Sequence, residues 1–295
     1  MQKHPRTPRT LRYLCFLSAA ALVPTLYAKA YGGEDAPTSA RLHTARATAV
    51  SASTPASARP QGVPDAGSLV FSDEFDGTRL DTAKWNARDA ERTERNRKDG
   101  IRWWYKPGNV SVGNGKLALS LSKLGRNQYA GARIDSWRKF EFTYGTIEFR
   151  IHVPPAQGHL AAAWMQSAVK ESQTGTGADG TEIDLIETPY PTDKFATSIH
   201  YDGYGSNHRT GSTRATFPEL RTGYHNVALH WTRSKLTFLF DGKEFWTVTD
   251  PKLISRVKEF PIASNELLQW AKGDIRTAPL NSSSAVVVDH IRVWK

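Results

Sequence analysis

The stretch Glu182-Ile183-Asp184-Leu185-Ile186-Glu187 interleaves three carboxylates with three aliphatic side chains, between a Gly-rich approach (Gly175 to Gly180) and a Pro-containing exit. Its first four residues alternate acid and apolar with the period of a strand. That sends Glu182 and Asp184 to one face and Ile183 and Leu185 to the other. Strict alternation would then place Glu187 on the apolar face. One extra residue at Leu185-Ile186, a β-bulge in which two residues oppose one on the neighbouring strand, returns Glu187 to the side of Glu182.

Strand-like runs continue outward from this point. Lys116 to Leu121 places Leu117, Leu119 and Leu121 on one face, after the hairpin signal Asn114-Gly115. Gly145 to Val153 points Ile147, Phe149, Ile151 and Val153 inward and Thr146, Glu148, Arg150 and His152 outward. Val227, Leu229 and Trp231 alternate in the same way, as do Leu236, Phe238 and Phe240 before the turn Asp241-Gly242 into Lys243 to Thr249. Ala285 to Trp294 reads as the last strand. Only Asp81 to Trp85 looks helical, and there is no internal repeat. The expectation is an all-β domain of two packed antiparallel sheets, a jelly-roll β-sandwich, over residues 68–295.

The N-terminus reads differently. Lys3, Arg6, Arg9 and Arg12 precede a short apolar run from Tyr13 to Leu26 and the small residues around Lys29, the pattern of a signal peptide over residues 1–30. The only cysteine, Cys15, lies inside it, so the mature chain is expected to hold no disulfide and no thiol chemistry. Residues 31–67 are rich in Ala, Ser, Thr and Pro and read as a disordered linker. Removing the five basic residues of the signal lowers the net charge from +10 to +5. That charge is too mild and too dispersed for nucleic acid, and it leaves room for an anionic polysaccharide. The expected product is secreted, extracellular or periplasmic, not held in a membrane after cleavage, and monomeric.

Repulsion between three acids on one strand face calls for a reason. Retaining glycoside hydrolysis supplies one, since it uses two carboxyl groups about 5–5.5 Å apart, one attacking the anomeric carbon and one protonating the leaving oxygen. Asp184 between the two can share a proton with Glu182, and mutual repulsion raises the pKa of whichever group serves as acid. The spacing does not decide which Glu attacks. A charged guard on an edge strand and a hard-cation site are the competing readings. Tryptophans support a sugar ligand, because indole faces stack on pyranose rings. Trp164, in the small-residue strand before the acids, reads as functional, whereas Trp231 and Trp246 read as core. Of the adjacent Trp103 and Trp104, one is expected to face out. The charge run Arg88 to Asp99 reads as a solvated loop. His200, on the strand after the acids, reads as a hydrogen-bonded structural histidine with a sugar contact as the alternative.

With these residues in view, the chain resembles glycoside hydrolase family 16 over nearly all of Leu69 to Lys295. The opening Asp73-Glu74-Phe75-Asp76-Gly77, the segment Phe142-Thr143-Tyr144-Gly145 with Glu148-Phe149-Arg150-Ile151, and the end Val288-Asp289-His290-Ile291-Arg292-Val293-Trp294 carry the likeness. The acid strand is similar to the bulged form of laminarinase-like members. The resemblance implies a concanavalin A-like jelly-roll fold, with Glu182 as nucleophile, Asp184 as assisting carboxylate and Glu187 as general acid/base. It further implies substrate contacts at Trp164, Trp104, Asn109, Arg133 and His200. No cofactor is required, and a structural Ca²⁺ would sit at Asp289 and Glu74. The implied activity is an endo-acting, retaining β-glycosidase on a polysaccharide, first a β-1,3-glucan, then β-galactans or a bacterial exopolysaccharide. A transglycosylase and a non-catalytic polysaccharide-binding sandwich are the alternatives. Ala161-Ala162-Ala163-Trp164 and Asp202-Gly203-Tyr204-Gly205 with His208-Arg209 depart from the glucanase pattern.

Overall fold

Asn114-Gly115 and Asp241-Gly242 each take positive φ at both residues (54° and 68°, 47° and 75°), the conformation that lets two strands return on themselves with their twist matched. Both hairpins are where the sequence puts them. The computed structural model describes residues 49–92, 100–155, 157–267 and 274–295. The signal peptide and the first part of the linker lie outside these residues, as do the 93–99 part of the charge run and Trp270.

In chain order the strands are β1 (Leu69–Asp73), β2 (Asn86–Ala87), β3 (Ala90–Arg92), β4 (Arg102–Tyr105), β5 (Val110–Gly113) and β6 (Lys116–Leu119). There follow β7 (Ser122–Gly125), β8 (Gln128–Asp135), β9 (Gly145–His152), β10 (Leu160–Ser167), β11 (Glu182–Glu187) and β12 (Lys194–Tyr201). The last are β13 (Arg209–Thr216), β14 (His225–Trp231), β15 (Leu236–Phe240), β16 (Lys243–Val248), β17 (Glu259–Glu266) and β18 (Val286–Trp294). One sheet runs β16-β15-β14-β9-β18-β6-β5, with β1 on β18; the other runs β13-β12-β11-β10-β17-β8-β4-β3, with β2 and β7 also on β8. Every pairing is antiparallel except β4 with β8. Between the sheets lies one apolar core, to which β9 gives Ile147, Phe149 and Ile151, β14 gives Val227, Leu229 and Trp231, and β11 gives Ile183, Leu185 and Ile186. Trp246 stacks on Phe238 at 4.9 Å and packs on this core from the edge, as its pattern implied.

Residues 49–67 correct the linker expectation. They lie across the outer face of the β9-containing sheet. Ala58, Val63 and Ala66 bury themselves against Ala228, Leu239 and Trp294, and Ala58 accepts a hydrogen bond from the Trp294 indole at 3.2 Å. The Gln61 amide donates to Glu148 Oε2 at 2.9 Å, and Thr54 donates to Glu74 at 2.8 Å. A Cβ on Gly62 would fall 2.2 Å from the carbonyl oxygen of Gly242, so the close crossing admits only glycine there. Small residues read as disorder when taken alone; against a second backbone they are what allows close approach. The same segment explains why Glu148, correctly placed on the outward face of β9, is nevertheless buried.

Candidate active site

Three rungs cross the centre of the second sheet. Gln166, Glu182 and His200 oppose one another on β10, β11 and β12; Trp164, Asp184 and Ser198 form the next rung; Ala162, Glu187 and Ala196 form the third. Between the second and third rungs, Leu185 and Ile186 together face the single residue Thr197, whose hydroxyl donates to the Leu185 carbonyl at 2.9 Å. This is the bulge, and all three aliphatic residues of the strand are fully buried in the inter-sheet core. Glu182, Asp184 and Glu187 therefore share the opposite, outer face. That face is recessed, since Trp164, Glu182 and Asp184 are only 7%, 9% and 5% exposed.

The three acids have different surroundings. Burial pushes Glu182 up, but Lys170, His200 and the Tyr204 hydroxyl outweigh it and hold the carboxyl below its ordinary range. Gln166 Nε2 donates to its Oε2 at 2.8 Å, and Tyr204 donates to Oε1. Burial pushes Asp184 up to about 6, with His200 opposing and Glu182 adding to the rise. Glu187, which keeps partial exposure, is pushed well above its ordinary value, first by burial and then by Asp184, Glu182 and Glu266. The surroundings of the two glutamates thus pull their proton affinities apart.

His200 Nε2 lies 3.3 Å from Asp184, and its Nδ1 lies 2.9 Å from His208 Nε2. Burial lowers its pKa, but Asp184 reverses the sign and the net direction is up. His200 is thus tied to the acids and orients Asp184. Trp164 sits in an apolar patch with Ala162, Phe260, Ile262 and Trp137, separate from the inter-sheet core. Its indole donates to Ser264 at 3.1 Å, Ser264 donates to Glu266 at 3.0 Å, and Tyr105 donates to the same Glu266 oxygen at 2.6 Å. Arg133 lies 4.6 Å from the Trp164 ring and 3.4 Å from Asp135. The ring that would receive a sugar is therefore locked in plane from behind.

A model of the family described as Glycosyl hydrolases family 16 matches residues 97–279. The chain belongs to that family. Among family 16 relatives, the Glucan endo-1,3-beta-glucosidase A1 of Niallia circulans is 29% identical over 211 residues, 63% of this chain and 30% of the relative, so the chain spans under a third of that protein's length. The endo-beta-1,3-glucanase structure from Pyrococcus furiosus superposes with a TM-score of 0.61 at 23% identity, covering 77% of this chain and 94% of the other. A Bacteroides ovatus family 16 structure from a mixed-linkage glucan locus, in complex with the product G4G4G3G, gives 0.63 at 22% identity, covering 76% and 99%. These likenesses establish the shared jelly-roll sandwich.

Family 16 membership does not carry every expected position. Trp104 sits on the other face of β4 from Trp103 and Tyr105, beside Ala130 and under Arg102 at 4.8 Å, so Tyr105 and not Trp104 reaches the Trp164 cluster. Trp103 is fully buried, and Trp104 is half-buried on the face of β4 opposite Tyr105. Asn109 donates to the carbonyls of Ala130 and Gly131 at 3.0 and 3.3 Å and accepts from Ser122 at 3.0 Å, which spends its amide on the backbone. Asp289 and Glu74 do not fit a calcium ion. Arg292 grips both Glu74 oxygens at 2.8 and 2.7 Å, while Lys116 and Arg150 engage Asp289. Cations already satisfy these carboxylates. Among the described residues, the grouping close enough to share an ion is Glu182, Asp184 and His200, and there Lys170 places an ammonium 3.4 Å from Glu182, where it would repel a metal.

Sequence reading missed Gln166, Lys170, Glu266, Ser264, Tyr105 and Trp137, and it marked Tyr204 only as part of the departing segment Asp202-Gly203-Tyr204-Gly205. The period-2 run Phe260, Ile262, Ser264, Glu266 could have flagged two of them. Lys170 and Tyr204 come from turns and carry no periodic signal.

Proposed function

We propose that the chain is a secreted, endo-acting retaining β-glycosidase whose first candidate substrate is a β-1,3-glucan. The observation that carries this reading is a pair of glutamates on one recessed strand face whose neighbours push their proton affinities in opposite directions. Glu182 attacks the anomeric carbon while Glu187 gives its proton to the departing glycosidic oxygen, leaving a glycosyl ester on Glu182. Loss of the Glu182 charge lowers the proton affinity of Glu187, which then takes a proton from water as the water opens the ester. Asp184, tied to His200, sits between the two and buffers the charge. Trp164 stacks on the sugar whose bond is attacked, with Arg133 behind the ring. The glucan assignment rests on the glucanase relatives, and secretion on the N-terminal signal pattern. Water as acceptor makes the enzyme a hydrolase; a sugar acceptor at the same ester would make it a transglycosylase.

The test is release of reducing ends from β-1,3-glucan, mixed-linkage glucan, β-galactans and acidic exopolysaccharides by the wild type and Glu182→Gln. Release from one polymer, lost in the variant, with β-anomeric product first seen by proton NMR, is the expected result. Full activity in Glu182→Gln sinks the mechanism. Binding without release by either protein moves the non-catalytic sandwich to first place.

A further inference from the structure

Two residues outside every motif close on Glu182. Lys170 lies in the turn after β10, and Tyr204 lies in the loop between β12 and β13. Lys170 Nζ is 3.4 Å from Glu182 Oε2 and 4.5 Å from the centre of the Tyr204 ring, while the Tyr204 hydroxyl donates to Oε1. The two loops are joined directly, since the Gly203 amide donates to the Lys170 carbonyl at 3.1 Å. Gly203 takes φ of +67°, the left-handed conformation that favours glycine at this crossing. Tyr204 is held from behind by His208 at 4.8 Å, which stacks in turn on His200 at 5.1 Å. Lys170 is itself only 8% exposed.

A buried carboxylate needs hydrogen bonds and a counter-charge to stay ionised. Gln166, from the neighbouring strand, supplies a neutral donor. The counter-charge and the second-oxygen contact come from the two loops. We propose that Lys170 and Tyr204 form a two-loop clamp that keeps Glu182 ionised and fixes the plane of its carboxylate for attack. Both are positioning residues acting through Glu182, and the proposal rests on the reading of Glu182 as nucleophile. The other charged groups facing the clamp are His200, Arg133, Asp184, Glu187 and Glu259 on strands of the sheet, and Glu171 on the Lys170 loop, whose carboxylate lies 3.3 Å from Lys170 Nζ. Lys170 is the positive charge that arrives on a loop, where its removal leaves the sheet intact.

The test uses the full chain with Tyr204→Phe, Lys170→Met and Lys170→Arg. Melting points come first, to establish that each variant is folded. The Glu182 carboxyl is then titrated by carbon-13 NMR, with Glu182→Gln to assign its resonance, and kcat/KM is measured against pH. The expected result is an upward move of the Glu182 midpoint in Tyr204→Phe and a larger one in Lys170→Met. The acid limb of kcat/KM should follow, with about tenfold lower kcat/KM at pH 5 in Lys170→Met relative to its own plateau, and Lys170→Arg restoring most of it. A folded Tyr204→Phe and Lys170→Met whose Glu182 titrates as in wild type overturns the clamp. The NMR titration needs no turnover. If the wild type cleaves none of the glucans but the midpoint moves, the clamp on the carboxylate stands and the hydrolase reading is what fails.

Discussion

Glu182 and Glu187 come from one six-residue strand, yet their neighbours drive their proton affinities apart. Each should fail in its own way when neutralised. Glu182→Gln is expected to lose at least ~10³-fold in kcat, with the loss of a covalent nucleophile. Glu187→Gln should lose ~10²–10⁴-fold on sugar leaving groups, and much less on an aryl leaving group that departs without a proton. Because Asp184 helps push Glu187 up, Asp184→Asn should move the alkaline limb of kcat/KM to lower pH. An unmoved limb would disconnect Asp184 from the acid. A further carboxyl lies beneath the site. Glu259 is fully buried and accepts from Thr181 at 2.7 Å; burial pushes it up to about 8, with Ser255 and Thr181 pulling the other way and Glu182 adding to the rise. The native state keeps a proton that the unfolded chain, with an ordinary glutamate value of 4.5, has already released. Stability contributed by this group is therefore lost as pH rises from about 4.5 to about 8. Glu259→Gln should melt like the wild type near pH 4 and higher than the wild type at pH 8, as thermal melts across that range would show.

Strand β11 carries one extra residue. Deleting Ile186 would leave Glu182-Ile183-Asp184-Leu185-Glu187, a plainly alternating strand that keeps all three acids on the outer face with no bulge, at the cost of one buried aliphatic side chain of the inter-sheet core. The expected outcome is a folded protein with a melting point lowered by several degrees and hydrolysis reduced but measurable, because Glu187 stays on the acid face and only its distance from Glu182 changes. A folded deletion variant with no activity at all would mean that the bulged spacing itself, and not only the shared face, is required. The bulge is legible in the sequence, because an acid at the wrong parity on an otherwise alternating strand admits few repairs. The same parity rule could not choose between Trp103 and Trp104. Alternation tells that two neighbours face opposite ways, not which way is the cleft, and that is settled by β4 lying parallel beside β8.

At the scale of the whole molecule, residues 49–67 belong to the folded domain. A chain beginning at Ser68 uncovers Trp294 and Leu239 and strips Glu148 of the Gln61 amide. Exposing that surface and leaving buried groups unpaired should cost ~3–5 kcal/mol, or roughly 5–15 °C in melting temperature for a domain of this size. Because the segment lies on the sheet opposite the acids, kcat/KM at about 20 °C should stay close to that of the longer chain; a matched loss of activity would place it in the site as well. No helix among the described residues is long and apolar enough to cross a membrane. Family, sandwich, hairpins and the shared face of Glu182, Asp184 and Glu187 follow from the sequence alone, because backbone period and turn chemistry act between residues a few positions apart. Asn109 spent on backbone carbonyls, Glu74 and Asp289 satisfied by Arg292, Lys116 and Arg150, and Lys170 meeting Tyr204 over Glu182 were decided only by the tertiary structure. These contacts join residues dozens to hundreds of positions apart, and which charges meet depends on strand order and loop crossings that no local pattern encodes.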